Sequence, residues 1–379
     1  MTIYLDNAST TFMSEGALRS YCEISESVGG NPQGNHSISR RAIYLLDEFR
    51  ERTAILLSCN PSEVYFTSGA TESNNIAVLG SAMVSKVPAC AATEHKAVLG
   101  PTLARNGLVI PVTTQGEIDQ DFFRDFLRLN AGRLDLVSIM TVNNETGVIC
   151  STEILAGMVT KHVPGALFHS DAVQAAHIMD LKNIVQASTS IALSAHKFHG
   201  PKGTGILYLD KRAKLKPIYL GGSQENELRP GTQDVASIGA MVFALEETVL
   251  NIKSNIDALK IIQTLFENLL LQKLPNAIIQ CNRVNRSPAI SNVLLPQTLN
   301  EEMLFLLDSK GVCASGGAAC SSGALGASHV VSALGVDNKL AKSALRFSFS
   351  STMTTFEIEQ TVEAIVQSYD TLVGQGSRK

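Results

Sequence analysis

The chain has 379 residues, 45% of them hydrophobic and 17% charged, enough to bury a sizeable core and too apolar for global disorder. The length suits two domains, or one large α/β domain with an appendage. Thirty-one basic residues against 35 acidic ones leave a formal charge of −4, with no basic excess to signal direct nucleic-acid contact or an anionic membrane surface.

The opening MTIYLDNASTTF turns polar after its first few residues and reads as neither a secretory signal nor an anchor. No apolar run approaches the ~20 residues that span a bilayer. The cysteines stand at 22, 59, 90, 150, 281, 313 and 320, odd in number and without CxxC spacing. That pattern favours a reducing, cytoplasmic setting over a disulfide framework or a zinc knuckle.

Strand-like and helix-like segments then alternate. Residues 63–67 (EVYFT) run into a glycine turn and a helix-capable stretch. Further short strands are expected at 134–142 (LDLVSIMTV), 166–169 (ALFH), 190–194 (SIALS) and 205–209 (GILYL). The alternation predicts a mostly parallel, helix-covered sheet, with ligands beyond the carboxyl ends of its strands. Residues 235–251 read as helix. Leu259, Ile262, Phe266 and Leu269 continue at three- and four-residue steps until Pro275. The division expected from this pattern is an N-terminal arm (1–14), a large domain (15–252) and a smaller C-terminal α/β domain (253–379). The last would have strands near 289–294 and 344–348. Its segment 314–328 is almost entirely Ala, Gly and Ser around Cys320, while Cys313 just before it reads as core.

The chemistry-bearing residues sit at the expected strand ends. In Ser68-Gly69-Ala70-Thr71, backbone N–H groups at a helix start would bind an anion such as phosphate; equally, the turn could only cap a helix. Lys197, in SAHKFHGPKG, follows a strand, where partial desolvation would free a neutral amine for Schiff-base chemistry. Alone, such a lysine is more often a solvated charge. GPKGTG does not match a P-loop, and the His196/His199 pair has no third ligand placed by spacing, so no metal is expected. Asp171 ends another strand, as a helix cap or as the partner of a protonated ring nitrogen. His95, after a short apolar run at 89–92, is structural or catalytic. The amides of VNNETG could hydrogen-bond a ligand.

YLDNASTT, NPQGNH, FTSGATESNN, EHKAVL, VNNETGV, HSDAVQA, SAHKFHGPKG, RPGTQD, ACSSG and LRFSFS together resemble the class V aminotransferase family, and more narrowly its NifS/IscS-type cysteine desulfurases. The likeness covers nearly the whole chain in the family's order. It implies a fold-type I pyridoxal-phosphate transferase with a seven-stranded sheet. Lys197 would carry the cofactor, Asp171 would pair with the pyridinium nitrogen, His95 would stack on the ring and assist proton transfer, and Gln174 would bond the phenolic oxygen. Ala70, Thr71, Ser194 and His196 would hold the phosphate, with Thr232 arriving from the second subunit of a homodimer. Asn144 and Arg346 would bind the substrate carboxylate, and Cys320 would take sulfur from L-cysteine as a persulfide and pass it to an acceptor protein. That sulfur could serve iron–sulfur cluster assembly or another thiolation.

Two departures stand out: Gly317 where serine is more usual, and LGAS at 325–328 for the commoner Leu-Glu-Pro-Ser. A selenocysteine lyase or another class V lyase or transaminase would use Lys197, Asp171 and His95 without depending on Cys320. A cofactor-free scaffold would use none of them and would be colourless.

Overall fold

The computed structural model describes residues 2–317 and 327–376. Eight strands come first: β1 (Ile3–Tyr4), β2 (Val64–Thr67), β3 (Val87–Ala91), β4 (Leu108–Ile110), β5 (Leu134–Ser138), β6 (Leu167–Asp171), β7 (Ser190–Ser194) and β8 (Gly205–Leu209). All but β1 form one sheet in the order β2-β8-β7-β6-β5-β3-β4. Only β8 runs against its neighbours, while the remaining pairs are parallel. The reason lies in chain length. Residues 195–204 are too few for the crossover that a parallel strand requires, so the chain doubles back. Every residue of β5, β7 and β8 is buried, as expected of a sheet covered on both faces.

Because β8 is inverted, the carboxyl ends of β2, β3, β5, β6 and β7 share one edge with the start of β8. The register Thr67↔Gly205 and Ser194↔Gly205 brings the turn after β2 against that start. A Cβ on Gly205 would lie 2.6 Å from the Gly69 Cα, so this close approach admits only glycine.

Several boundaries differ from the sequence expectation. Glu63 belongs to a one-turn helix (Pro61–Glu63) with proline at its start. Within the run 134–142, β5 ends at Ser138, where the Met140 N–H donates to Glu94 Oε1 (2.5 Å) instead of to a strand, although Ile139 and Thr141 still donate to the His169 and Asp171 carbonyls of β6 (3.1 Å each). β6 extends two residues beyond 169 and so carries Asp171 into the ladder opposite Ala192.

The helices Val235–Leu250 and Ile252–Lys273 meet at Asn251 with a 69° bend. Among the described residues no single helix is long and apolar enough to cross a membrane. After the bend come β9 (Ile278–Ile279), β10 (Ile290–Leu294), β11 (Val312–Cys313) and β12 (Ala344–Ser348). The order β12-β10-β9 makes a small antiparallel sheet. β11 instead pairs in parallel with β1, and Asp6 bridges to Ser348, which fastens the N-terminus to the C-terminal part of the chain. Cys313 is half-buried in this short pair rather than in the core.

Candidate active site

The shared strand edge opens into a cavity of about 430 Å³, lined among others by Ala70, Thr71, His95, Asn144, Asp171, Gln174, Ser194, His196, Lys197 and Arg346. The structure thus brings together the site residues read from the sequence, with two exceptions. Thr232 is exposed and is not among the residues lining the cavity of its own chain. Cys320 lies outside the described residues, as does most of the 314–328 segment.

Strand ends set each position. β7 passes directly into the turn Ala195–Lys197, which places Lys197 at the cavity. Its Nζ donates to the carbonyl oxygens of Ala8 (2.7 Å) and Ser9 (2.5 Å). The N-terminal arm therefore forms one wall, to which Gln174 also donates through Nε2, reaching Ala8 O at 2.9 Å. The His196 imidazole contacts Thr10 Oγ1 (3.1 Å); burial, with Lys197 and Lys202 nearby, drops its pKa to about 4. His199 turns away, its Nδ1 facing the Phe12 carbonyl oxygen at 3.0 Å.

Asp171, 4% exposed, accepts from Asn74 Nδ2 (2.7 Å) and from the Val173 N–H (3.1 Å). Behind it, His169 Nε2 meets Asn74 Oδ1 (2.9 Å) and Nδ1 meets Ser190 Oγ (2.8 Å). Burial holds the His169 pKa at about 3. The neutral ring therefore donates from Nε2, and the amide of Asn74 is fixed in one orientation.

His95 caps the helix Lys96–Ala104, Nδ1 accepting the Ala97 N–H at 3.1 Å. That bond leaves the proton of the neutral ring on Nε2. Burial lowers the pKa of His95, with the Asp171 carboxylate opposing and Lys197 assisting.

The fit to a phosphorylated pyridine is testable on these features. The helix Ala70–Gly80 has no side-chain cap, and Gly69 before it holds φ +145°, a conformation closed to side-chain-bearing residues. Its first-turn residues and Ser194 face the cavity, a ready anion cradle. A buried carboxylate with lone pairs to spare and a primary amine complete the donor set. The residues fit the group.

Arg346, its side chain 3% exposed, donates from Nη1 to Asn144 O (2.9 Å) and from Nη2 to Asp6 Oδ1 (2.7 Å) and Ser9 Oγ (2.5 Å). Sequence reasoning assigned no role to Asn74, His169, Asp6 or Glu145, although all lie inside the motifs it singled out. Glu145 is buried at the cavity wall and accepts Ser328 Oγ–H at 2.5 Å. Burial raises its pKa, against the pull of Ser328, His329 and Arg346. Gly317 has φ +94°, and a Cβ there would fall 2.6 Å from Glu145 Oε2. The positive φ at this position favours glycine over serine.

Comparison with known proteins gives a match to the family Aminotransferase class-V over residues 3–361. The chain is 34% identical to "Cysteine desulfurase IscS" of Dictyoglomus turgidum over 96% of its own length and 93% of that protein's. Among solved structures it is similar to a "NifS-like protein" (TM-score 0.89, 29% identity, 97% and 99% of the two chains). It is also similar to "SspA in complex with cysteine" (TM-score 0.78, 27% identity, 93% and 100%).

Proposed function

The chain belongs to the class V aminotransferase family of pyridoxal-phosphate enzymes, and on that premise we propose that it is a cysteine desulfurase, converting L-cysteine to L-alanine with transfer of sulfur to Cys320. The observation that carries the reading is the convergence of Lys197, Asp171, His95 and Arg346 on one cavity, in a chain that also holds the ACSSG motif. The relatives named as desulfurases, and the cysteine bound to one structural neighbour, support the substrate.

When bound, pyridoxal phosphate supplies the electron sink that permits bond breaking at the substrate's Cα and Cβ. The other roles fall to the protein. Lys197 contributes the amine that carries the cofactor and, in its neutral form, a proton acceptor at Nζ. Asp171, oriented by Asn74, is the partner for a ring N–H. The neutral His95 presents its Nε2–H to the cavity as a hydrogen-bond donor. Arg346 and Asn144 receive the substrate carboxylate. The backbone at Ala70 and Thr71, with Ser194 and His196, holds the phosphate, and Thr232 of a second copy completes the cradle in a homodimer.

Cys320, as thiolate, takes the substrate's sulfur and becomes a persulfide, so that one L-cysteine and one thiol give one L-alanine and one persulfide. An acceptor protein then removes the terminal sulfur, and a reductant in its place releases sulfide. The test is incubation with L-cysteine and a reductant, measuring both products. Alanine and sulfide in equal amounts, both lost in Lys197→Ala, support the reading; sulfide without alanine overturns it.

A further inference from the structure

We infer that Asp6 tunes the carboxylate affinity of this site, as an internal carboxylate that competes with the substrate's carboxylate for the Arg346 guanidinium. The inference rests on the function proposed above for its substrate, but its geometry stands alone. A guanidinium has five N–H donors, and a carboxylate grips it bidentately either end-on, through Nη1 and Nη2, or along the side, through Nε and Nη2. Both grips need Nη2. In this structure both Nη2 hydrogens are engaged, one by Asp6 Oδ1 at 2.7 Å and the other by Ser9 Oγ at 2.5 Å. Ser9 itself donates to Asp6 Oδ1 at 2.7 Å, closing a three-membered ring of contacts.

The remaining donors do not offer a substitute fork. Nη1 gives one hydrogen to the Asn144 carbonyl at 2.9 Å. Nε is shut off from solvent and has no hydrogen-bond partner among the described residues, a cost that a well-built anchor would avoid. An incoming carboxylate therefore meets one open N–H on Nη1. It gains the second only by displacing Ser9 or Asp6, and it approaches a cation already neutralised by its partner.

The arm bearing Asp6 is itself fixed, with Ala8 N donating to Ser348 Oγ and Asn7 Nδ2 to Ser348 O, both at 2.9 Å. Asp6 is thus held at the guanidinium by its own backbone, and its effect is to weaken carboxylate capture. Such a built-in competitor lowers the affinity of every carboxylate that Arg346 receives, so a ligand offering a carboxylate alone stays largely unbound at concentrations where one that also binds through its amine is held.

The experiment titrates the purified holoenzyme with propionate, a carboxylate without an amine, by calorimetry, and in parallel measures KM and kcat for L-cysteine. Asp6→Asn keeps an acceptor oxygen for Nη2 and removes the charge; Ser9→Ala frees the second Nη2 hydrogen independently. The expected result is propionate binding tightened about tenfold in Asp6→Asn, a smaller gain in Ser9→Ala, and loss of both gains when Arg346→Lys is added. KM for L-cysteine falls while kcat changes little. Propionate bound equally or more weakly by Asp6→Asn overturns the inference and leaves Asp6 a plain anchor for the arginine. The propionate arm reads this result even if no alanine is formed from L-cysteine, so failure of the desulfurase reading is separately visible.

Discussion

Asn74 donates its side-chain N–H to Asp171 Oδ2 at 2.7 Å, and its carbonyl oxygen is held by His169 at 2.9 Å. All three side chains are essentially removed from solvent. The proposed ring partner is therefore aimed by a neutral relay that starts at Ser190, and a buried carboxylate deprived of its donor pays a desolvation cost of about 1–3 kcal/mol. Asn74→Ala is expected to weaken pyridoxal-phosphate affinity by roughly one to two orders of magnitude by the same figure. Equilibrium dialysis with visible absorbance checks it, and unchanged affinity would show that Asp171 needs no such support.

The same relay gives a pH dependence whose sign follows from His169. Its pKa is about 3 in the fold against about 6.5 in an unfolded chain. Between those values the unfolded state binds a proton that the folded state refuses. The stabilising contribution is thus fully present above pH 6.5 and is lost as pH falls toward 3. His169→Gln keeps hydrogen-bonding capacity and does not titrate. Between pH 6 and 4.5 its unfolding free energy should decline less steeply than the parent's, by up to about 1.4 kcal/mol per pH unit. Denaturant melts at several pH values measure it, and parallel slopes would remove His169 from the acid limb.

Much of this site was legible because its chemistry sits where strands end. The runs at 190–194 and 205–209 have the boundaries read from their β-branched and apolar residues, and Lys197 follows from the first of them. What the sequence could not carry is mutual placement. Nothing local to FTSGATESNN says that Asn74 reaches a residue 97 positions away. Nor does YLDNASTT reveal that Asp6 faces Arg346 across 340 positions. The strand at 134–142 was overestimated for a related reason. Its hydrophobic run continues past Ser138 and still bonds β6 through Ile139 and Thr141, but the Met140 N–H between them is taken by a carboxylate, Glu94, contributed from another loop. Periodicity reports burial, and Ile139, Met140 and Val142 are indeed buried; it does not report which partner takes a backbone N–H.

Gly317 supplies a third prediction. With φ +94° and Glu145 Oε2 2.6 Å from where a Cβ would go, Gly317→Ser, the residue more usual in the family, should cost about 1–3 kcal/mol of backbone strain. Displacement of the Glu145 carboxyl from Ser328 would add to it. The expected readout is a melting temperature lowered by about 1–4 °C, since the shift per kcal/mol shrinks with chain length. A double-mutant cycle with Glu145→Ala should show coupling, since each change removes part of what the other disturbs. Strict additivity would mean that Gly317 and Glu145 do not press on each other.

The fourth prediction separates the two covalent residues of the proposed reaction, Lys197 and Cys320. Lys197 lies within the cavity, its Nζ held by the arm carbonyls, so Lys197→Ala should abolish both the imine-type visible absorbance and alanine formation. Cys320 has no part in binding the cofactor under this reading. Cys320→Ser should keep the absorbance of the parent and still respond spectrally to L-cysteine, because amine and carboxylate binding are intact. It should lose alanine formation by two orders of magnitude or more, since hydroxyl oxygen is a poor sulfur acceptor and a single essential nucleophile typically carries at least that much rate. Mass spectrometry after one turnover should find 32 Da added to Cys320 in the parent as the one extra sulfur. Alanine formed at the parental rate by Cys320→Ser would move this chain from desulfurase to a lyase that expels sulfur without a protein carrier.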